Sequence, residues 1–200
     1  MLYYERYFKK KGFDLIIGVD EAGRGPLAGP VVAGAVLLKS TRFKNRIDDS
    51  KKLTALQREK AYPEIVAKSV FGLGIIGEDE IDRVNILVAT GMAMEEAIRS
   101  LLKKLDPYKK NNIHVLVDGD VKLNLGLPYT NIIRGDQKSK SIACGSIMAK
   151  VTRDRMMVFY DTLYPEYGFL QHKGYPTKTH KAAIKKFGLS RIHRATFSSV

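Results

Sequence analysis

Cysteine occurs once in the 200 residues, at Cys144, so no intramolecular disulfide can form and no thiolate cluster can hold a metal. A lone thiol fits a reducing interior. No apolar run approaches the length needed to span a bilayer, and Met1 to Lys11 is charged and aromatic without the apolar centre of a signal peptide. A cytoplasmic protein off the membrane is therefore expected. Internal repeats, low-complexity tracts and linkers are missing too. The length suffices for one substantial core and not for two ordinary domains, so a single domain over residues 1–200, acting as a monomer, is expected.

Acidic residues are in deficit, with 21 Asp and Glu against 34 Lys and Arg and a net charge of +13. Such a surface attracts polyanions and gains from counterion release, which makes nucleic acid the leading partner. A lysine-rich surface of a heat-adapted protein is the alternative source of the same charge.

What is present centres on Gly18 to Pro30. The run Leu15-Ile16-Ile17-Gly18-Val19 is too short for a buried helix and apolar on both strand faces, which predicts a central strand covered on both sides. Asp20 and Glu21 then stand at its end. Carboxylates that deep need a partner, and divalent cations are the usual one, although a polar strand end capped by a turn accounts for an isolated pair. Alternation would send Asp20 and Glu21 to opposite faces, so the strand is expected to end or twist there. Gly23 and Gly25 flank Arg24, whose planar fork of donors suits a phosphodiester. The stretch fails as a dinucleotide fingerprint, because its glycine spacing is one residue too long and Pro26 interrupts the helix start, and it lacks the lysine and hydroxyl of a P-loop.

Further along, residues 31–38 read as a second strand paired with the first. Asp49-Ser50-Lys51 reads as a loop entering a helix from Thr54 to Lys68. Residues 70–76 predict a strand with a glycine face, 78–83 a short helical turn, and 85–105 a helix stopped by Asp106-Pro107. Its methionines are core. A strand over 113–117 leads into Asp118, and a short strand over 131–133 precedes Asp136. A long helix to about Tyr160 carries Ser141, Gly145 and Ala149 on a thin face, with Arg153, Asp154 and Arg155 on its polar side. Gly168 to Pro176 is a basic, aromatic loop. A final helix, Thr177 to Phe187, is capped by Gly188, and His172, His180 and His193 read as solvated or capping groups.

This order predicts an α/β fold with a mixed sheet flanked by helices. Acids follow three strand-type segments: Asp20 with Glu21, Asp118, and Asp136. If those strands are neighbours, four carboxylates converge on one sheet edge as hard-oxygen ligands for Mg²⁺ or Mn²⁺. That is the skeleton of a two-metal phosphodiesterase.

The motif Asp20-Glu21-Ala22-Gly23-Arg24-Gly25-Pro26-Leu27-Ala28-Gly29-Pro30 resembles the signature of the ribonuclease HII family. The resemblance extends through Val117-Asp118-Gly119, Gly135-Asp136-Gln137-Lys138-Ser139, Ala149-Lys150-Val151-x-Arg153-Asp154-Arg155 and His172-Lys173-Gly174-Tyr175-x-Thr177-x-x-His180. It implies a ribonuclease H-like fold with a short C-terminal helical extension, metal-binding and catalytic roles for Asp20, Glu21, Asp118 and Asp136, and Mg²⁺ or Mn²⁺ as cofactor. It also implies ribose sensing by Gly23, Arg24 and Gly25, substrate contact near Lys51, and junction sensing by Tyr175. The implied partners are RNA/DNA hybrid and ribonucleotide-containing duplex DNA. The implied reaction cuts RNA in hybrids and 5′ of single embedded ribonucleotides, leaving 3′-hydroxyl and 5′-phosphate ends. Cys144 and Gly145 stand where many members have alanine, and some members carry additional C-terminal helices that grip the duplex. A DNA-only nuclease or recombinase on the same fold, and a non-catalytic binding module, are the competing classes. The first has no need of a ribose sensor, the second none of four acids that oppose phosphate.

Overall fold

The computed structural model describes residues 1–105 and 112–197. Its strands are β1 (Leu15–Ala22), β2 (Val31–Leu38), β3 (Ser69–Ile76), β4 (Ile113–Asp118) and β5 (Tyr129–Ile132). Its helices are α1 (Tyr3–Lys10), α2 (Ala55–Lys68), α3 (Glu78–Val84), α4 (Ile86–Leu102), α5 (Lys140–Leu163), α6 (Phe169–His172) and α7 (Lys178–Phe187). The sheet order is β3-β2-β1-β4-β5. β1 pairs antiparallel with β2 and parallel with β4, which makes the sheet mixed.

Both faces are covered, as the continuous apolar runs require. Ile17, Val19, Ala33 and Ala35 point one way and meet Met94, Ile98 and Leu101 of α4. On the other side Val36 meets Ala143, Cys144, Ile147 and Met148 of α5, with α2 packed beside it. The second layer lies unusually close. A Cβ on Gly18 would collide with the backbone of Ser141 and Ile142, and one on Gly145 would fall 2.5 Å from the Gly34 carbonyl. The thin face of α5 thus sets the helix directly on the middle of the sheet, at the level of Asp20.

Local signals account for the helix starts. Thr54 and Gln57 form a reciprocal capping box at α2, Ser139 accepts the Ile142 N–H at α5, and Thr177 accepts the His180 N–H at α7. The expected stop at Asp106-Pro107 lies outside the described residues. Among the described residues, no helix is long and apolar enough to cross a membrane.

Four expectations need correcting. β1 continues as strand to Ala22, so Asp20 and Glu21 lie within it rather than past its end. The stretch after Gly168 contains the one-turn helix α6, which ends at Lys173 in a left-handed conformation. Arg153 is fully buried, because the α5 face it shares with Met157 is covered by the Gly-rich turn and the residues after α6. His172, His180 and His193 are buried as well, packed on one another and on Phe169. A helix not foreseen, α1, buries Phe8 and Glu5.

Candidate active site

Strand register creates the site. β4 is last paired to β1 at Val19↔Val117, whereas β1 runs on beside β2 to Ala22↔Val32. Asp20 and Glu21 therefore have a strand on one flank and an open edge on the other. Asp118, the last residue of β4, stands at that edge, paired with Ile132 of β5.

Asp20 shares the α5 face with Gly18, where it is buried; its Oδ1 accepts the Glu21 N–H at 2.7 Å. Burial pushes its carboxyl well above the ordinary value, and Glu21 and Asp118 push the same way. Ser146 of α5 lies beside it and hydrogen-bonds Ser50 at 2.8 Å between hydroxyl oxygens. Glu21 is also raised by burial, a shift opposed by Arg24, whose Nη1 lies 3.6 Å from Oε1. The two acids begin on opposite faces of the pleat, yet both respond to Asp118, which faces the open edge they share.

The fourth acid comes from a single 3-10 turn, Gly135–Gln137, directly after β5. Asp118 Oδ1 accepts the Gly135 N–H at 2.5 Å and so binds this turn to β4. Asp136 is buried within it, raised to about 6 by burial, Asp118 and Asp49. Asp49 joins the turn to the 50–52 segment, accepting the Lys51 N–H at 2.9 Å and Gln137 Nε2 at 3.3 Å. Burial lowers the Lys51 ammonium, but Asp20, Asp49, Asp136 and Glu21 together raise it. Lys51 is thus a cation in the field of all these acids.

Beside this edge opens a cleft of about 480 Å³, lined by Glu21, the Gly23–Gly25 turn, Lys51, Lys150 and Tyr175. A Cβ on Gly25 would lie 3.9 Å from Tyr175 Cε1, so turn and ring face each other across it. Tyr175 is 40% exposed, its ring 5.5 Å from Lys150 Nζ, while its backbone is bound by His172 and His180. The tyrosine anchors α7 through its main chain and leaves its ring in the cleft. Arg153 spans both walls: Nε donates to Pro30 O, Nη2 to Ala28 O and Nη1 to Lys173 O, each at 2.9 Å.

All nine residues singled out from the sequence thus border one edge and one cleft. Ser146, Lys150 and Arg153 were missed as parts of it. Their signal lay in the small-residue face of α5, which places the following turns of that helix at the site.

Known proteins resemble the chain that carries this acid edge and cleft. The sequence model of ribonuclease HII covers residues 17–200. The chain belongs to the ribonuclease HII family. Ribonuclease HII of Ruminiclostridium cellulolyticum is 50% identical over 98% of this chain and 75% of its own length. That of Syntrophotalea carbinolica is 44% identical over 100% of this chain and 92% of its own. Among solved structures, ribonuclease H2 of Pyrococcus horikoshii superposes with a TM-score of 0.69 at 26% identity, covering 92% of this chain and 94% of that one. Ribonucleases HII are endonucleases that hydrolyse phosphodiester bonds in the RNA strand of RNA/DNA hybrids, and they depend on divalent metal ions. Helix α1 lies outside the residues matched by the family model.

The four carboxylates fit such an ion. They offer only hard oxygens, and three of them, Asp20, Glu21 and Asp136, are shifted up by burial and by neighbouring acids, a shift that a bound cation would relieve. Among the described residues, no three Asp, Glu, His or Cys side chains form a ready-made cage. An open edge suits Mg²⁺, which keeps waters and shares its coordination with substrate phosphate rather than being enclosed by protein.

Proposed function

We propose that this member of the ribonuclease HII family is a metal-dependent endoribonuclease. It cuts hybrids and also cuts 5′ of single ribonucleotides embedded in duplex DNA, leaving 3′-hydroxyl and 5′-phosphate ends for ribonucleotide removal during replication and repair. The observation that carries the reading is the pairing of an acid edge with a cleft walled by Gly25 on one side and Tyr175 on the other.

Asp20, Glu21, Asp118 and Asp136 would hold Mg²⁺ or Mn²⁺, with two ions expected. Bound there, the ions supply charge neutralisation on the reacting phosphate and a water of lowered pKa. The protein's own groups do the rest. Arg24 and Lys51 draw the phosphodiester toward the acids, offsetting the repulsion that four carboxylates exert on it. Backbone groups of Gly23, Arg24 and Gly25 meet the 2′-hydroxyl before the cut, where the absence of a Cβ lets a sugar approach. Tyr175 packs against the sugar after it, and a hydroxyl on that face would crowd the ring, which favours a ribo-to-deoxyribo junction. Histidine takes no proton here, because all three imidazoles near the loop are spent on one another and on backbone.

The test compares all-DNA duplex, uniform hybrid, and DNA with one ribonucleotide, each with Mg²⁺ and with Mn²⁺. Cleavage of the last two and not the first is expected. Tyr175→Ala should lose far more activity on the single-ribonucleotide duplex than on the hybrid, at unchanged melting temperature. Equal losses with a lowered melting temperature would reduce Tyr175 to a structural role. Cleavage of all-DNA would move the chain to the DNA nucleases.

A further inference from the structure

The Gly-rich turn is folded around a side chain 170 positions away in sequence. Arg194 is 2% exposed, and its guanidinium sits inside the loop from Gly23 to Gly29. Nε donates to Gly29 O at 2.9 Å, Nη1 to Arg24 O at 3.1 Å and Pro26 O at 2.8 Å, and Nη2 to Gly23 O and Gly29 O at 2.6 Å each. Five hydrogen bonds match the five N–H donors that a guanidinium possesses. The main chain beside it locks the arrangement. Arg194 N–H donates to Leu27 O at 2.8 Å, and Gly29 N–H donates to Ile192 O at 2.8 Å.

A trans peptide points its C=O and its N–H in opposite directions. With the carbonyls of Gly23 and Arg24 turned inward onto Arg194, the N–H groups of Arg24 and Gly25 are turned outward. Among the described residues neither of these N–H groups has a backbone acceptor. Successive outward N–H groups form a concave donor patch for an oxygen ligand, and this one borders the cleft. Gly23, at φ +103°, supplies the left-handed step that lets consecutive carbonyls converge.

We propose that Arg194 is the positioning residue for ribose recognition: by gathering the carbonyls of the Gly23–Gly29 turn, it aims the Arg24 and Gly25 N–H groups at the substrate 2′-hydroxyl. This rests on the ribose-sensing reading of that turn. Arg194 does not touch substrate. Lysine cannot replace it, since an ammonium has three donors and no planar fork. The tail carrying it is held from outside by Asp82, which accepts the N–H groups of Ala195 at 2.7 Å and Thr196 at 3.0 Å.

Binding of a duplex with one ribonucleotide, and of the same all-DNA duplex, is measured by fluorescence anisotropy in Mg²⁺. Asp118→Asn is present throughout to prevent cutting. The parent should prefer the ribonucleotide duplex. Adding Arg194→Lys should reduce that preference about fivefold or more, the worth of a hydrogen bond, with all-DNA affinity within about twofold. A merely structural role would weaken both duplexes together and leave the ratio untouched, which overturns the proposal. If Arg194→Lys does not fold, Asp82→Ala carries the test: it should lower the ratio in the same direction, and an unchanged ratio in the folded variant overturns the proposal. A parent with no preference would instead remove the ribose-sensing reading itself.

Discussion

The Asp118 carboxylate accepts the Gly135 N–H at 2.5 Å, so the acid that ends β4 also holds the turn that carries Asp136. Two acids of the site are therefore mechanically joined, and charge and scaffold can be separated by substitution. Asp118→Asn keeps an oxygen acceptor and removes the charge, whereas Asp118→Ala removes both. Cleavage in single-turnover gel assays should fall by about a thousandfold or more in each. Thermal melts should show Asn close to the parent and Ala less stable by about 1–2 kcal/mol. An Asn variant cutting at the parent rate would remove Asp118 from the cation-holding set.

Asp20 should trade stability for function. Its carboxyl is raised by burial and by two acidic neighbours, so the folded state binds its proton more tightly than the unfolded chain does. The sign follows: folding loses stability as pH rises from the ordinary carboxylate value up through the raised one. Asp20→Asn should abolish cleavage and raise stability without added metal, on the order of 1 kcal/mol, in denaturant titrations. A less stable Asp20→Asn protein would contradict this.

Acid should act in the opposite sense through the histidines. His193 Nδ1 accepts the Ser190 N–H at 2.9 Å, so its Nε2–H donates to His180 Nε2 at 3.0 Å, and His180 Nδ1–H donates to Tyr175 O at 2.9 Å. This chain has no place for another proton. Burial, then the neighbouring His180, lowers His193 to about 4 from an ordinary 6.5. The unfolded chain therefore binds more protons in that window; stability is full above about 6.5 and is lost as pH falls toward about 4. Melting temperatures from pH 4 to 8 should rise across it, and His193→Asn should be less stable at pH 7 with a shallower slope. An unchanged slope would mean the imidazoles are not the groups being titrated.

Helix α1 should matter to the site although it is remote from it. Glu5 Oε1 accepts the Ser141 N–H at 2.9 Å and the hydroxyls of Ser139 and Ser141 at 2.7 and 2.9 Å, which satisfies the start of α5 directly after the Asp136 turn. Glu5→Ala leaves these donors buried without an acceptor and should cost about 1–3 kcal/mol. Hydrogen exchange should show the loss concentrated around residues 135–142. Uniform loosening of the whole fold would contradict that placement.

Much of the frame was legible in the sequence because it depends on local chemistry. Apolar runs at Leu15–Val19 and Val31–Leu38, the cap at Thr54 and the small face at Ser141, Gly145 and Ala149 each specify their element without distant partners. The four acids were legible as a set following strand-type segments, although Asp20 and Glu21 lie within β1, and family resemblance assigned their roles. Polarity misled where burial was compensated elsewhere. Arg153 read as a polar-face cation, and the histidines as solvated or capping groups, because nothing local shows that carbonyls of the Gly-rich turn, or other imidazoles, will satisfy them.

By itself the sequence determined the mixed sheet, the order of its elements and the residue types available for phosphodiester chemistry, since period, capping and glycine placement act over a few residues. Tertiary structure alone decided that β4 stops pairing at Val117 while β1 runs on to Ala22, opening the edge that Asp20, Glu21 and Asp118 share. It also decided that Arg194 closes the turn at Gly23–Gly29. Both depend on contacts between segments up to 171 residues apart, and their hydrogen-bond partners exist only once the chain has folded.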